Sequence, residues 1–411
     1  MFDFYNKVLE RFIKYVKINT QSVPNSKDTP SSKCQFDLAK ILYQECLDLG
    51  LSDVYYDDVN CLVYASLDSN NKDAINVAII AHMDTSFDVS GDGVKPWVYK
   101  NYQGGDVILN KKENIILREE EFENIKSYYG KDIVFTDGTT LLGGDDKSAI
   151  AEIMTMAEYF LENKDELHCN IKIAFTPDEE VGGLAKDLDF KRLNADIAYT
   201  VDGDHVGYYS DETFNASEAQ FEIIGKNVHP GTAFGIMKNA VEIANEIINI
   251  IPNERPHNTK DRMGYYHPHY ISGNVEKTIL YCLIRDHDEL LFEEKKKCLE
   301  NIKDQMNKKY GNGTVNIVWA NSYSSMKKVV DKYPFMIKEL VNAIKDCNIE
   351  PVHLAFRGGT DGSSISARGL ACPNISAGYE NGHSRYEYVP VQSMIEICKI
   401  IINLMKRLRK Y

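Results

Sequence analysis

Hydrophobic residues along the first half of the chain recur with two different spacings. Apolar positions three or four residues apart predict helices over residues 2–17, from about 32 to Gly50, and over 146–162. Short apolar runs predict strands over about 53–58, 61–67, 75–81, 171–176 and 196–201. Ser32 and Gln35 have the spacing of a capping box at the start of the second helix. Residues 88–140 are rich in Gly and Asp without a clear period, which predicts irregular excursions over a sheet.

The pattern changes near residue 210. It predicts, in order, a strand over 219–224, a helix over 231–251, strands over 269–275 and 279–285, a helix over 288–310 and a strand over 314–319. This βαββαβ order is that of a ferredoxin-like α+β unit. The first pattern then resumes, with a helix over 334–346, strands over 351–356 and 371–376, and a helix from 391. We therefore predict an α/β catalytic domain, residues 1–210 and 322–411, with helices on both faces of a mixed sheet. A ferredoxin-like lid domain, residues 211–321, is inserted into this catalytic domain, and we expect a cleft between the two.

Composition narrows the class of protein. A chain of 411 residues exceeds the usual size of one hydrophobic core, which agrees with two domains. A net charge of -14 argues against binding to nucleic acid or to an anionic membrane. Nine cysteines, an odd number with no C-x-x-C pair, indicate reduced thiols. With neither a signal-like start nor an apolar stretch of membrane-spanning length, we expect a soluble cytoplasmic protein.

Candidate chemistry begins at the end of the apolar run 77–81. His82 and Asp84 follow it two positions apart, so both side chains leave the predicted strand on the same side. A neutral imidazole can bind a metal ion while a neighbouring carboxylate orients its ring. The alternative is an ordinary polar pair without function.

Further acids and one imidazole occupy similar positions at the ends of predicted strands or the start of a helix: Asp145, Glu179, Glu180, Asp202 and His383. Singly, they also suit a helix cap, a solvated turn or a loop histidine. Together with Asp84, the acids would bring five negative charges into one pocket, where several would take up protons unless cations balanced them. Two divalent ions would do so. Mixed imidazole and carboxylate ligands suit zinc, with manganese or cobalt also open.

Several motifs carry a family resemblance along nearly the whole chain. They are Ala81-His82-Met83-Asp84-Thr85, Tyr102-Gln103-Gly104-Gly105-Asp106, Asp137-Gly138-Thr139-Thr140-Leu141-Leu142-Gly143-Gly144-Asp145-Asp146-Lys147, Thr176-Pro177-Asp178-Glu179-Glu180-Val181-Gly182, Tyr199-Thr200-Val201-Asp202-Gly203, Asn227-Val228-His229-Pro230-Gly231-Thr232 and Arg357-Gly358-Gly359-Thr360-Asp361-Gly362. On these segments the chain resembles the co-catalytic dizinc family of peptidases and deacylases, and within it the tripeptide aminopeptidases. The resemblance implies a zinc-exopeptidase-like catalytic domain, a short-peptide substrate and a homodimer formed through the lid.

The resemblance also implies a role for each site residue. One zinc would be held by His82 and Asp202, the other by Glu180 and His383, and Asp145 would bridge them. Glu179 would be the general base and Asp84 a supporting catalytic residue, and the peptide bond after Asp145 would be cis. His229 would stabilise the oxyanion, from a dimer partner or by domain closure, although a plain helix-start turn is the alternative.

A short peptide also carries a terminal carboxylate, which the planar guanidinium of an arginine pairs with two hydrogen bonds. Arg285, at the end of a predicted lid strand, and Arg357, beside Gly358 and Gly359, are the candidates. Either could instead form a surface ion pair.

Other functions remain open or are disfavoured. An N-acyl amino acid deacylase or a dipeptidase could use the same metal site. A non-catalytic metal-binding protein would have no need of Glu179 and Asp84. Residues 143–148 lack the spacing of a phosphate loop, and no serine or cysteine lies in a recognisable nucleophile elbow.

Overall fold

The computed structural model describes residues 2–69, 71, 73–183 and 185–411. The helices are α1 Phe4–Val16, α2 Gln35–Leu49, α3 Gly144–Glu162, α4 Phe190–Leu193, α5 Ala240–Ile250, α6 Glu289–Tyr310, α7 Lys327–Val330, α8 Pro334–Asp346, α9 Asp361–Ala367 and α10 Val391–Leu408. The strands are β1 Ser52–Asp57, β2 Leu62–Leu67, β3 Asn76–His82, β4 Trp97–Tyr99, β5 Val107–Asn110, β6 Ile115–Leu117, β7 Ile133–Phe135, β8 Asn170–Thr176, β9 Ile197–Val201, β10 Tyr208–Thr213, β11 Asn215–Ile224, β12 Tyr265–Gly273, β13 Lys277–Asp286, β14 Val315–Tyr323, β15 Val352–Phe356, β16 Asn374–Ile375 and β17 Tyr388–Pro390. Among the described helices, none combines the length and the apolar character needed to cross a membrane.

The described chain forms two compact units. The first unit comprises Met1–Asp211, Met326–Leu354 and Thr360–Tyr411. The second unit comprises Glu212–Ser325 and Ala355–Gly359. The short segment Ala355–Gly359, which includes Arg357, therefore belongs with the second unit although it lies far along the chain from the rest of it.

An eight-stranded mixed sheet forms the centre of the first unit, in the order β1-β2-β8-β3-β9-β16-β10-β15. Alternate residues of its strands pack to opposite faces: Ile79 contributes to a core with α1, α2, α3, α8 and α10, whereas Ile80 contributes to a core with α4 and α9. Helices thus cover both faces of the sheet, as the sequence pattern predicts. The fold class is confirmed.

The carboxyl ends of three parallel strands form what we call the functional edge of this sheet. The strands β8, β3 and β9 lie side by side in the same direction, and His82 at the end of β3 pairs with Thr176 at the end of β8. Side chains that come directly after these strands therefore emerge at one edge, the place where open α/β sheets bind ligands.

The second unit has the βαββαβ order predicted from the sequence. Its four strands form an antiparallel sheet in the order β12-β13-β11-β14, and α5 and α6 pack against one face. Its core includes Phe221, Ile247, Leu280 and Leu299. This is the ferredoxin-like arrangement.

Two local predictions in the first unit are wrong. The capping box does not form: the residue before α2 is Cys34, which makes no side-chain cap, and Gln35 instead donates a hydrogen bond to Asp178 at 2.7 Å. Residues 88–140 are not merely irregular. They contain β4 to β7, which build a two-stranded sheet and, with β17, a three-stranded sheet around an aromatic core that includes Tyr102 and Phe135. Most of these strands have three residues, too few to show a period.

Two element boundaries also differ from the prediction. The helix predicted over 231–251 begins only at Ala240, where Asn239 caps it, because Pro230–Thr232 form a short 3-10 turn and Lys226 pairs with Lys238. The strand predicted over 371–376 is regular only at Asn374–Ile375. In both places apolar residues continue the pattern into loops that are fixed by tertiary contacts.

Candidate active site and metal centre

The acids and imidazoles singled out in the first unit converge at the functional edge of the sheet. His82 is the last residue of β3, Glu179 and Glu180 form a 3-10 turn shortly after β8, and Asp202 follows β9. Asp145 lies in the first turn of α3, and His383 lies in the turn that precedes β17. Strands and helix ends separated by three hundred positions thus present their polar side chains in one place.

Asp145 lies between the two histidines. Its Oδ1 is 3.0 Å from Nε2 of His82, and its Oδ2 is 3.3 Å from Nε2 of His383. Each imidazole therefore turns the same nitrogen toward a different oxygen of one carboxylate. This is the arrangement expected of a carboxylate that bridges two ions.

Two overlapping groups of side chains have donor atoms suited to a metal ion. The first is His82, Asp145 and Asp202, and the second is Asp145, Glu180 and His383; within each group the donor atoms lie within 4.8 Å of one another. The Oε2 of Glu180 is 2.8 Å from His383 Nε2, while its Oε1 is buried without a hydrogen-bond partner among the described residues. Because ligand atoms about 2 Å from one zinc ion are themselves a few ångströms apart, this donor set fits the ion.

Asp84 contacts both the turn that carries Glu179 and Glu180 and the imidazole of His82. One of its carboxylate oxygens accepts the backbone N–H of Glu179 at 3.0 Å, and the other accepts that of Glu180 at 3.2 Å. Its Oδ1 also lies 3.3 Å from Nδ1 of His82. The backbone carbonyl of Asp84 lies closer to the same nitrogen, at 3.1 Å. Asp84 thus fixes the acidic turn through its carboxylate and orients the imidazole through both its carboxylate and its backbone.

The turn before α3 is held by Glu387, a buried residue near β17. One of its oxygens accepts the N–H groups of Leu142 at 2.8 Å and Gly143 at 2.7 Å, and the other accepts that of Asp145 at 2.9 Å. The peptide bond between Asp145 and Asp146 is cis, as the resemblance implies.

Electrostatics at the site reflect the crowding of acids. Burial, with the nearby charge of Asp145, raises the pKa of Glu180 to about 7 and that of Asp202 to about 6. Burial also raises the pKa of Glu179 well above its ordinary value. Hydrogen bonds to Asp145 and Glu180 raise the pKa of His383 to about 11. Without a metal ion, repulsion between these carboxylates is limited by protons on some of the acids and by the positive charge of an imidazole. Bound divalent cations can supply the same positive charge.

Comparison with known proteins places this arrangement in a family. The sequence model for peptidase family M20/M25/M40 matches residues 143–407, which include Asp145, Glu180, Asp202 and His383. The chain belongs to this family. The family predicted from the motifs is confirmed, and the chain is a peptidase-family hydrolase.

Relatives within the family are similar over almost the whole chain. A peptidase T of Caldanaerobacter subterraneus subsp. tengcongensis is 43% identical over 403 residues, which cover 98% of both chains. Among solved structures, the aminopeptidase PepT from Bacillus cereus has a TM-score of 0.79 at 20% identity and 98% coverage of each chain. A tripeptidase from Staphylococcus aureus has a TM-score of 0.77 at 20% identity and 99% coverage of each chain. The two solved structures establish the M20 fold of this chain.

The remaining predicted residues lie in the second unit. His229 is exposed at the start of the 3-10 turn, and its Nδ1 accepts the N–H of Gly231 at 3.1 Å. Arg357 donates from Nη1 to the carbonyls of Asp261 and Met263, both at 2.8 Å. Arg285 donates from Nη1 to the carbonyl of Arg357 at 3.1 Å, and its buried Nε has no hydrogen-bond partner among the described residues. Arg285 therefore keeps more unused hydrogen-bonding capacity than Arg357.

The sequence analysis assigned no role to several residues that lie in or beside the site. Tyr379 donates from its hydroxyl to Asp202 Oδ1 at 3.1 Å, and Thr176 donates to Asp361 Oδ2 at 2.7 Å. Asp88 lies 3.1 Å from Nδ1 of His383. Asp361 stands in a motif that carries the family resemblance, so a signal was present. Glu387 and Tyr379 had none, because neither follows an apolar run at a strand end.

Proposed function

We propose that this chain is a tripeptide aminopeptidase that removes the N-terminal residue of short peptides with water activated by two metal ions. The observation that carries the proposal is the bridging position of Asp145 between the imidazoles of His82 and His383. The similarity to peptidases T over 98% of the chain supports the substrate class.

The ligand assignment rests on the two groups of donor atoms. His82 and Asp202 would hold one ion, Glu180 and His383 the other, and Asp145 would contact both. We propose zinc, since mixed imidazole and carboxylate donors suit it, with manganese or cobalt as the alternatives. When bound, a pair of such ions lowers the pKa of water and polarises the scissile carbonyl.

Glu179 is the general base in this proposal. Its carboxylate makes no hydrogen bond among the described residues, and burial raises its pKa, so it is free and basic enough to accept a proton from water. The same carboxyl group then returns the proton to the leaving amine. Asp84 fixes the base by accepting the N–H of Glu179.

The second unit would supply substrate recognition. We propose that Arg285, with its unpaired Nε, binds the terminal carboxylate of the peptide, and that Arg357 contributes to this subsite and shapes it by donating to Asp261 and Met263. We also propose that His229 helps to stabilise the oxyanion and that the chain forms a homodimer through the second unit. All nine cysteines are free thiols in the structure, which supports a cytoplasmic location.

A substrate panel tests the function. Metal-free protein and protein restored with zinc, manganese or cobalt would be given Ala-Ala-Ala, Ala-Ala, acetyl-Ala and a tripeptide of three different residues. We expect metal-restored protein to prefer tripeptides and to release the first residue of the mixed peptide, with no activity in the metal-free sample. Equal activity with and without metal would refute the mechanism. Preference for acetyl-Ala would identify a deacylase, and preference for Ala-Ala a dipeptidase.

A further inference from the structure

The imidazole of His383 contacts carboxylates through both of its nitrogens. Its Nε2 faces the site, 2.8 Å from Glu180 and 3.3 Å from Asp145. Its Nδ1 points the other way and lies 3.1 Å from Oδ2 of Asp88. The side chains of His383 and Asp88 are 45% and 53% exposed. Burial therefore does little to hold this ring, and on the side away from the site Asp88 is the carboxylate that contacts it.

The loop that carries Asp88 is itself well fixed. Ser86 donates from its hydroxyl to Asp88 Oδ2 at 2.9 Å and accepts the backbone N–H of Asp88 at 3.3 Å. Gln21 donates from its side-chain amide to the carbonyls of Ser86 at 3.3 Å and Val89 at 3.0 Å, on either side of Asp88. The carboxylate is thus presented to His383 by a pinned loop, although it is exposed.

His82 has the same arrangement in a buried form. Its Nε2 faces Asp145, and its Nδ1 lies 3.1 Å from the backbone carbonyl of Asp84 and 3.3 Å from the carboxylate of the same residue. The side chains of His82 and Asp84 are only 3% and 0% exposed. A carboxylate behind a ligating imidazole fixes the protonated nitrogen and raises the basicity of the one that binds the metal. Asp88 and Asp84 thus both place a carboxylate beside Nδ1 of a histidine, but Asp84 is buried and also offers its backbone carbonyl, whereas Asp88 is exposed and acts through its carboxylate alone. Within the described residues, moreover, the ion pairs of Asp88 are limited to His383.

We propose that Asp88 is a positioning residue for His383 and that it controls the affinity of only one of the two metal ions. This inference rests on the metal centre of the proposed function. Asp88 holds Nε2 of His383 toward Asp145 and Glu180, the other two members of its ligand group. Within the described residues, Asp88 has no ion pair with His82, which belongs to the other group. Loss of Asp88 frees the exposed ring of His383 and leaves the buried ring of His82 in place.

The experiment compares Asp88→Asn with wild-type protein, with Asp92→Asn on the same loop as the matched control. Zinc affinity of each site is measured by competition with a chelator, and the melting temperature is measured on metal-free protein. We expect one of the two zinc ions to bind about 10–100-fold more weakly in Asp88→Asn, the other to be unchanged, and the metal-free melting temperature to stay the same. Asp92→Asn should match the wild type in all three.

Two further measurements assign the effect. In a His383→Ala background, Asp88→Asn should weaken zinc binding no further, because the residue through which it acts is absent. At saturating zinc, the KM for Ala-Ala-Ala should stay at the wild-type value. Unchanged zinc affinities in Asp88→Asn would overturn the inference, as would a raised KM with intact metal binding, which would make Asp88 a substrate contact. A wild-type protein that does not bind two zinc ions would instead refute the proposed function.

Discussion

The carboxylate of Glu387 accepts the backbone N–H of Asp145 at 2.9 Å, so a residue near the end of the first unit sets the position of the bridging acid. The same carboxylate accepts the N–H groups of Leu142 and Gly143. These donors precede or begin α3, where backbone N–H groups have no partner within the helix. Glu387 therefore satisfies a helix start and orients the metal-binding turn with one side chain.

Replacing Glu387 tests this relationship. In Glu387→Ala, three buried N–H groups lose their acceptor, at about 1–3 kcal/mol for each donor left unsatisfied. We expect a lower free energy of unfolding in urea for the metal-free protein, together with loss of at least one bound metal ion in the folded protein. Glu10→Ala, at an exposed position of α1, is the control and should change neither quantity. If Glu387→Ala unfolds at the same urea concentration as the wild type, the hydrogen bonds accepted by Glu387 do not stabilise the fold.

Glu179→Gln separates proton transfer from metal binding. The amide has the size of the carboxyl group but cannot accept a proton from water, so we expect kcat for tripeptides to fall roughly 10²–10⁴-fold. Metal content should remain two ions per chain, because Glu179 is outside both groups of ligand atoms. Glu180→Gln is the contrasting variant and should lose affinity for one ion. Full turnover by Glu179→Gln would remove the role of this residue as general base.

Glu152 predicts a pH dependence of stability away from the site. This residue of α3 is fully buried, and both carboxylate oxygens lack a hydrogen-bond partner among the described residues. Burial raises its pKa well above 4.5. The folded state therefore holds the proton more tightly than the unfolded state does, and the associated stability is present at low pH and lost as the pH rises through the folded pKa.

Glu152→Gln should remove this loss. Relative to the wild type, the variant should gain stability steadily as the pH is raised above about 4.5, by up to about 1.4 kcal/mol for each pH unit until the folded pKa is reached. Urea unfolding of metal-free protein between pH 4.5 and 8 measures the gain. Glu162→Gln, at the half-exposed end of the same helix, is the control. Parallel stability curves for Glu152→Gln and the wild type would contradict the prediction.

The parts of the site that lie next to apolar runs were predictable from the sequence. His82 ends β3, Glu180 and Asp202 come after β8 and β9, and parallel strands bring the residues at their carboxyl ends to one edge. Residues that act through the backbone were not predictable. Glu387 holds N–H groups, and backbone donors are the same for every residue type, so no pattern of side chains identifies their acceptor.

Dependence on distant partners also explains the errors in the predicted secondary structure. A repeat of apolar residues marks an element only when the element is long enough to show it, and β4, β6, β7 and β17 have three residues each. Where the apolar pattern continues through Ile236 and Met237, the chain instead forms turns, because Lys226 and Lys238 pair across them. Both cases depend on partners distant in sequence, which local spacing does not encode.

The position of β16 in the large sheet has a consequence for how the protein matures. This strand lies between β9 and β10, yet it follows the entire second unit in chain order. During synthesis from the N-terminus, the ferredoxin-like segment is complete while the larger sheet still has a gap with two open strand edges. A polypeptide halted between residues 360 and 373 thus has a complete second unit and an incomplete large sheet, and the unpaired strand edges of that sheet favour aggregation.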